Sequence, residues 1–131
     1  MTPEELLKKA KEAQQNAYAP YSNFYVGAAL LCKDGSLYTG CNVENAAFPA
    51  GICAERTALS KAVSEGKHEF TAIAIVGGPE GSTADFCYPC GICRQALSEF
   101  VNIDFKYYFQ NSDGDIISLT EADLLPHSFN L

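Results

Sequence analysis

Two short segments constrain this chain more than any others: Cys53-Ala54-Glu55-Arg56 and Pro89-Cys90-Gly91-Ile92-Cys93-Arg94. Any fold the chain adopts must bring them together if their thiols serve one centre. Zinc takes four ligands, and a catalytic zinc takes three from protein and keeps one position for water. Cys53, Cys90 and Cys93 would supply three thiolates to one Zn²⁺ per chain, at about 2.3 Å each. Glu55 would stand beside the metal as the proton carrier.

The spacing tests this idea. Cys90 and Cys93 suit two ligands in one helical turn. Cys53 and Glu55 point apart in a helix interior. They converge only if Cys53 sits at the very start of a helix. Pro49 and Gly51 come just before it, and Ala54, Ala58, Leu59, Ala62 and Val63 recur afterwards at helical spacing. Cys90 follows Pro89 in the same way, ahead of Ala96, Leu97 and Phe100. Two helix N-termini would face one metal, and their partial positive charge favours thiolate over thiol.

The six cysteines would permit disulfides. However, the N-terminus is acidic with no apolar signal segment behind it, and no apolar run reaches the ~18 residues of a membrane span. The expected compartment is the cytoplasm, where paired cysteines more often hold metal or do chemistry. A net charge of −7 argues against a polynucleotide partner. The 131 residues are expected to form one domain, 1–131.

Thr2-Pro3-Glu4-Glu5 reads as a capped helix start, with Leu6, Leu7, Ala10, Ala13 and Ala17 as the apolar face. Phe24–Cys32 and Leu37–Val43 read as strands joined at Asp34-Gly35. The first metal helix should end near Gly66. A buried strand follows over 71–76, then a loop over 77–82 and the second metal helix to about Phe100. Strands over 103–109 and 116–119 and a short helix capped by Thr120 complete the chain. Helices alternate with strands after the first hairpin, which predicts an α/β sandwich on a mixed sheet.

A structural site with Cys87 as fourth ligand is the competing reading, but it leaves Glu55 unexplained. Cys32 and Cys41 fall in strands and read as small core hydrophobes. His68 and His127 read as surface residues. Three thiolates on Zn²⁺ leave a net negative charge, and Arg56 is read as donating hydrogen bonds to the sulfurs to offset it. Arg94 is left unassigned.

The sequence resembles the zinc-dependent cytidine deaminases of the short, single-domain kind. Cys53-Ala54-Glu55 and Pro89-Cys90-Gly91-Ile92-Cys93 carry the resemblance. So do Tyr18–Ser22, Phe24–Leu30, Asn42-Val43-Glu44-Asn45-Ala46, and Leu124-Leu125-Pro126 with Phe129. It implies a three-layer α/β/α sandwich on a mixed five-stranded sheet. It implies hydrolytic deamination of cytidine, with Glu55 passing protons to ring N3 and to the leaving amine. It places Asn42 and Glu44 on the ribose, the Ala54 N–H on the base, and Phe24 against base or sugar. It also implies a homotetramer whose site is shared, with Phe129 reaching a neighbour's base. Polynucleotide and tRNA deaminases similar to this chain carry His where Cys53 stands, so the cysteine favours free nucleosides. The stretch 48–52 departs from the family pattern. Two further functions compete: deamination of another cytosine nucleoside such as blasticidin S, and a non-catalytic zinc-stabilised binding module.

Overall fold

The computed structural model describes residues 1–80 and 82–131; Gly81, within the expected 77–82 loop, lies outside them. Helix α1 spans Pro3–Gln14 and opens with the expected capping box. Glu5 N–H donates to Thr2 Oγ1 at 3.1 Å, and Thr2 N–H donates to the Glu5 carboxylate at 2.9 Å. Leu6, Leu7, Ala10 and Ala13 are buried along its inner face, whereas Ala17 lies past the helix end.

Strands β1 (Phe24–Cys32) and β2 (Leu37–Cys41) form the hairpin. β2 stops at Cys41 rather than Val43 because Asn42 turns its amide onto β1. Its Oδ1 accepts from Val26 N–H and its Nδ2 donates to Phe24 O, each at 2.9 Å. Val43 instead bridges Tyr18 and Ile52. Helix α2 spans Ala54–Ser64, and Gly66 follows at φ +87, the left-handed region that favours glycine.

Strand β3 spans Phe70–Pro79, longer than the apolar run suggested. Gly77 and Gly78 continue the ladder opposite Val26 and Tyr25, because backbone pairing needs no side chain. Helix α3 spans Gly91–Ser98 and strand β4 Lys106–Gln110. β4 begins later than expected because Asn102 closes a turn first. Its side chain accepts from Asp104 N–H at 2.9 Å and its carbonyl from Phe105 N–H at 3.1 Å. Strand β5 (Ile116–Thr120) leads into helix α4 (Glu121–Leu124), capped by Thr120 as expected.

The strands form one sheet in the order β2-β1-β3-β4-β5. β3 and β4 are parallel and the other neighbours antiparallel, so the sheet is mixed. Alternation along β1 and β3 divides the core in two. Ala29, Ala72, Ala74 and Val76 meet Leu6, Leu7 and Ala10 of α1 on one face. Ala28, Leu30, Ile73 and Ile75 meet Ala54, Ala58, Leu59 and Leu97 of α2 and α3 on the other. This is the expected α/β/α sandwich. α1 lies so close to β1 that a Cβ on Gly27 would sit 2.0 Å from the Ala10 carbonyl oxygen. No helix among the described residues is long and apolar enough to cross a membrane.

Candidate active site

The apolar faces of α2 and α3 fix both helices on one side of the sheet, and their N-termini meet. Cys53 is the N-cap of α2 and Cys90 the N-cap of α3, both with extended backbone. A Ser, Thr, Asp or Asn in that position would turn its side chain onto the helix N–H groups. Neither cysteine makes such a bond. Their sulfurs instead approach each other to 3.7 Å. Cys93, buried in the first turn of α3, completes a group whose ligand atoms all lie within 4.8 Å of one another. The N-cap position also resolves the spacing of Cys53 and Glu55: Glu55 is the second residue of α2, on the same open end.

A soft, three-thiol set in one small volume fits zinc with a position left for water. Cys87 does not belong to the converged group among the described residues. Cys32 is buried in the core and Cys41 half-buried on β2. His68 and His127 are exposed, as expected.

The charges around the thiols are set by burial and by Arg56. The hydrogen bond from Cys93 holds the Cys53 thiol down at about 5, and Arg56 adds to this. Cys93 is pushed up by the same bond and by its burial. Arg56 Nη2 donates to Cys53 Sγ at 3.9 Å, while its Nε is buried without a partner among the described residues. The guanidinium thus faces sulfur. Glu55 is only 4% exposed. Burial is the main cause that pushes its carboxyl up to about 7, a range suited to taking and giving protons near neutrality.

A cavity of about 320 Å³ opens onto this group. Asn42, Glu44, Cys53, Ala54, Glu55 and Cys90 line it, together with Val26, Val43, Gly51, Ile52, Cys87 and Tyr88. Glu44 is already engaged: its carboxylate accepts from Tyr21 N–H at 2.9 Å, Ser22 N–H at 3.2 Å and the Ser22 hydroxyl. The Ser22 bond chiefly holds it below the usual carboxylate range. One acceptor direction remains on Glu44 Oε2, and one amide hydrogen on Asn42. Phe24 does not line the cavity. Its ring and Cys87 Sγ close in over Gly77, where a side chain would collide with both. Phe129 also lies away from the cavity of its own chain and is 65% exposed.

Sequence reasoning did not single out Val26, Val43, Ile52 or Tyr88. Strand parity signals Val26, which shares the face of Ala28 and Leu30. Nothing local signals the others, which reach the cavity through the Tyr18–Val43–Ile52 bridges and the approach to α3. A larger hollow of about 680 Å³ lies beside α4 and the C-terminal tail, away from the thiol group.

The model for the cytidine and deoxycytidylate deaminase zinc-binding region matches residues 1–109, which include both cysteine segments. A cytidine deaminase of Sporosarcina psychrophila is 48% identical over 130 residues, 99% of this chain and 93% of that protein. A crystal structure of cytidine deaminase from Burkholderia pseudomallei is similar at a TM-score of 0.89 and 46% identity, covering 98% of this chain and 100% of that one. A blasticidin-S deaminase of Bacillus cereus is 29% identical over 126 residues, 93% of this chain and 88% of that protein. Matched in its cysteine segments, in its sheet and helices and along nearly its whole length, the chain belongs to the family of zinc-binding cytidine and deoxycytidylate deaminases.

Proposed function

We propose that this chain, as a single domain over 1–131, hydrolyses cytidine and 2′-deoxycytidine to the uridine nucleosides and ammonia. The observation that carries this reading is Glu55: a carboxylate 4% exposed, in a cavity whose wall includes two of three converged thiols. Cys53, Cys90 and Cys93 hold one zinc ion, which when bound lowers the pKa of a water towards ~7. Glu55 accepts one proton of the attacking water and gives it to ring N3, then takes the second from the new C4 hydroxyl and gives it to the departing amine, which leaves as ammonia. The Ala54 N–H, at the first turn of α2, holds the base. The free acceptor of Glu44 and the free amide hydrogen of Asn42 suit a ribose diol. Arg56 offsets the thiolate charge at Cys53.

The assembly in this reading is a homotetramer in the cytoplasm, serving pyrimidine salvage. Phe24 packs on base or sugar from the cavity margin, and Phe129 reaches the base of a neighbouring chain. Large exposed apolar groups support association, among them Phe48, Ile92, Ile103 and Phe129. A blasticidin-type substrate is less favoured, since the blasticidin-S relative stands at 29% identity against 48% for a cytidine deaminase. A non-catalytic zinc module does not account for the buried Glu55. The direct test is loss of cytosine absorbance with cytidine, and in parallel with blasticidin S, before and after chelation. Turnover of cytidine that disappears on chelation supports the reading; turnover of blasticidin S alone, or no ammonia release, overturns it.

A further inference from the structure

We propose that Arg94 is a positioning residue that ties the C-terminal segment to the turn carrying Cys90, so that zinc retention and the order of the tail depend on each other. This rests on the zinc reading above. Arg94 sits one residue after Cys93 in α3 and is half-buried. Its Nε donates to Pro89 O at 2.8 Å, and its Nη1 donates to Leu124 O at 2.7 Å.

Each accepting carbonyl has a structural meaning. Pro89 O belongs to the residue just before the N-cap Cys90. The bond therefore fixes the peptide from which the Cys90 side chain departs. Leu124 O is at the end of α4, where helix carbonyls lack a partner within the helix. A planar guanidinium presents its N–H groups in a rigid fork and answers both carbonyls at once, whereas a lysine ammonium is a single point donor on a flexible stem.

The far side of the clamp is tied down as well. Tyr107 on β4 donates to the Glu121 carboxylate at the start of α4. Gln95, next to Arg94, donates through Nε2 to Phe129 O at 3.4 Å. Helix α3 thus holds two metal ligands at its start and the tail through adjacent residues, Arg94 and Gln95. Loosening Arg94 removes one tether from the Pro89–Cys90 peptide and one from α4 at the same time. Groups that orient metal ligands typically change metal affinity by about 10–100-fold when removed.

The test uses the zinc-loaded full chain and two variants, Arg94→Ala and Arg94→Lys. Zinc content of the wild type is measured first; a wild type without zinc defeats the metal reading rather than this inference. Zinc release to a chromogenic chelator is then timed, and hydrogen exchange of residues 121–131 is followed with and without zinc. In the wild type, zinc removal should speed exchange in 121–131. In Arg94→Ala, release should be about tenfold faster or more, and the tail should exchange fast whether zinc is present or not. Arg94→Lys keeps the charge and much of the stem, so it serves if Arg94→Ala does not fold, and it should resemble Arg94→Ala. Zinc release within twofold of wild type, or tail exchange that still responds to zinc in the variants, overturns the proposal.

Discussion

Replacing Glu55 by glutamine isolates proton transfer from everything else at the site. The two side chains have nearly the same shape, and Glu55 is 4% exposed, so the packing of α2 against the sheet should survive. The thiols come from Cys53, Cys90 and Cys93, so zinc should stay at one per chain. What disappears is the group that accepts and returns a proton. Losing one positioned acid–base group costs about 10²–10⁴-fold, or about 3–5 kcal/mol of barrier. Glu55 is asked to move more than one proton, so the loss should reach the upper part of that range. The loss should fall on kcat, because the amide still fills the cavity and the ribose contacts are untouched. Zinc analysis, thermal unfolding and steady-state deamination of cytidine on the same preparation give the three readouts. Zinc and fold retained with near-normal turnover would refute the assignment of Glu55.

Cys87→Ser should keep both zinc and activity, since Cys87 stands outside the converged thiols; loss of zinc by metal analysis would restore the four-cysteine reading. Arg56→Ala should lower activity about 10–100-fold with a smaller effect on stability; an unchanged rate and pH profile would make Arg56 a bystander. Co-expressed Glu55→Gln and Phe129→Ala chains should form mixed oligomers with activity above the average of the two separate proteins; activity that stays at that average in proven mixtures would confine Phe129 to its own chain. Gly27→Ala should lower the thermal midpoint, because its Cβ would sit 2.0 Å from the Ala10 carbonyl oxygen and such overpacking costs about 1–3 kcal/mol or more; an unchanged midpoint would mean that α1 shifts freely.

Local chemistry made much of this protein legible before folding was considered. The capping box at Thr2 and Glu5, the left-handed Gly66 and the Thr120 cap depend on neighbours within a few residues, so the sequence alone places them. The metal cysteines were legible for a related reason. Soft thiols at short spacing, with a carboxylate that can converge on them only from a helix start, leave few arrangements open. Long-range packing decided the rest. Gly77 and Gly78 look like a loop, yet they are strand because β1 supplies the backbone partners. Val43 and Ile52 come to the cavity through bridges between segments distant in the chain. Glu44 and Asn42 hold β1 and the Tyr21–Ser22 turn as well as lining the cavity, a double use that no spacing encodes. Arg94 stays unassigned from sequence alone, because its meaning lies in Leu124, which only the tertiary fold brings within hydrogen-bonding reach. Sequence fixes which groups are chemically able to act; the sheet, by setting which chain ends meet, determines which of them share a site.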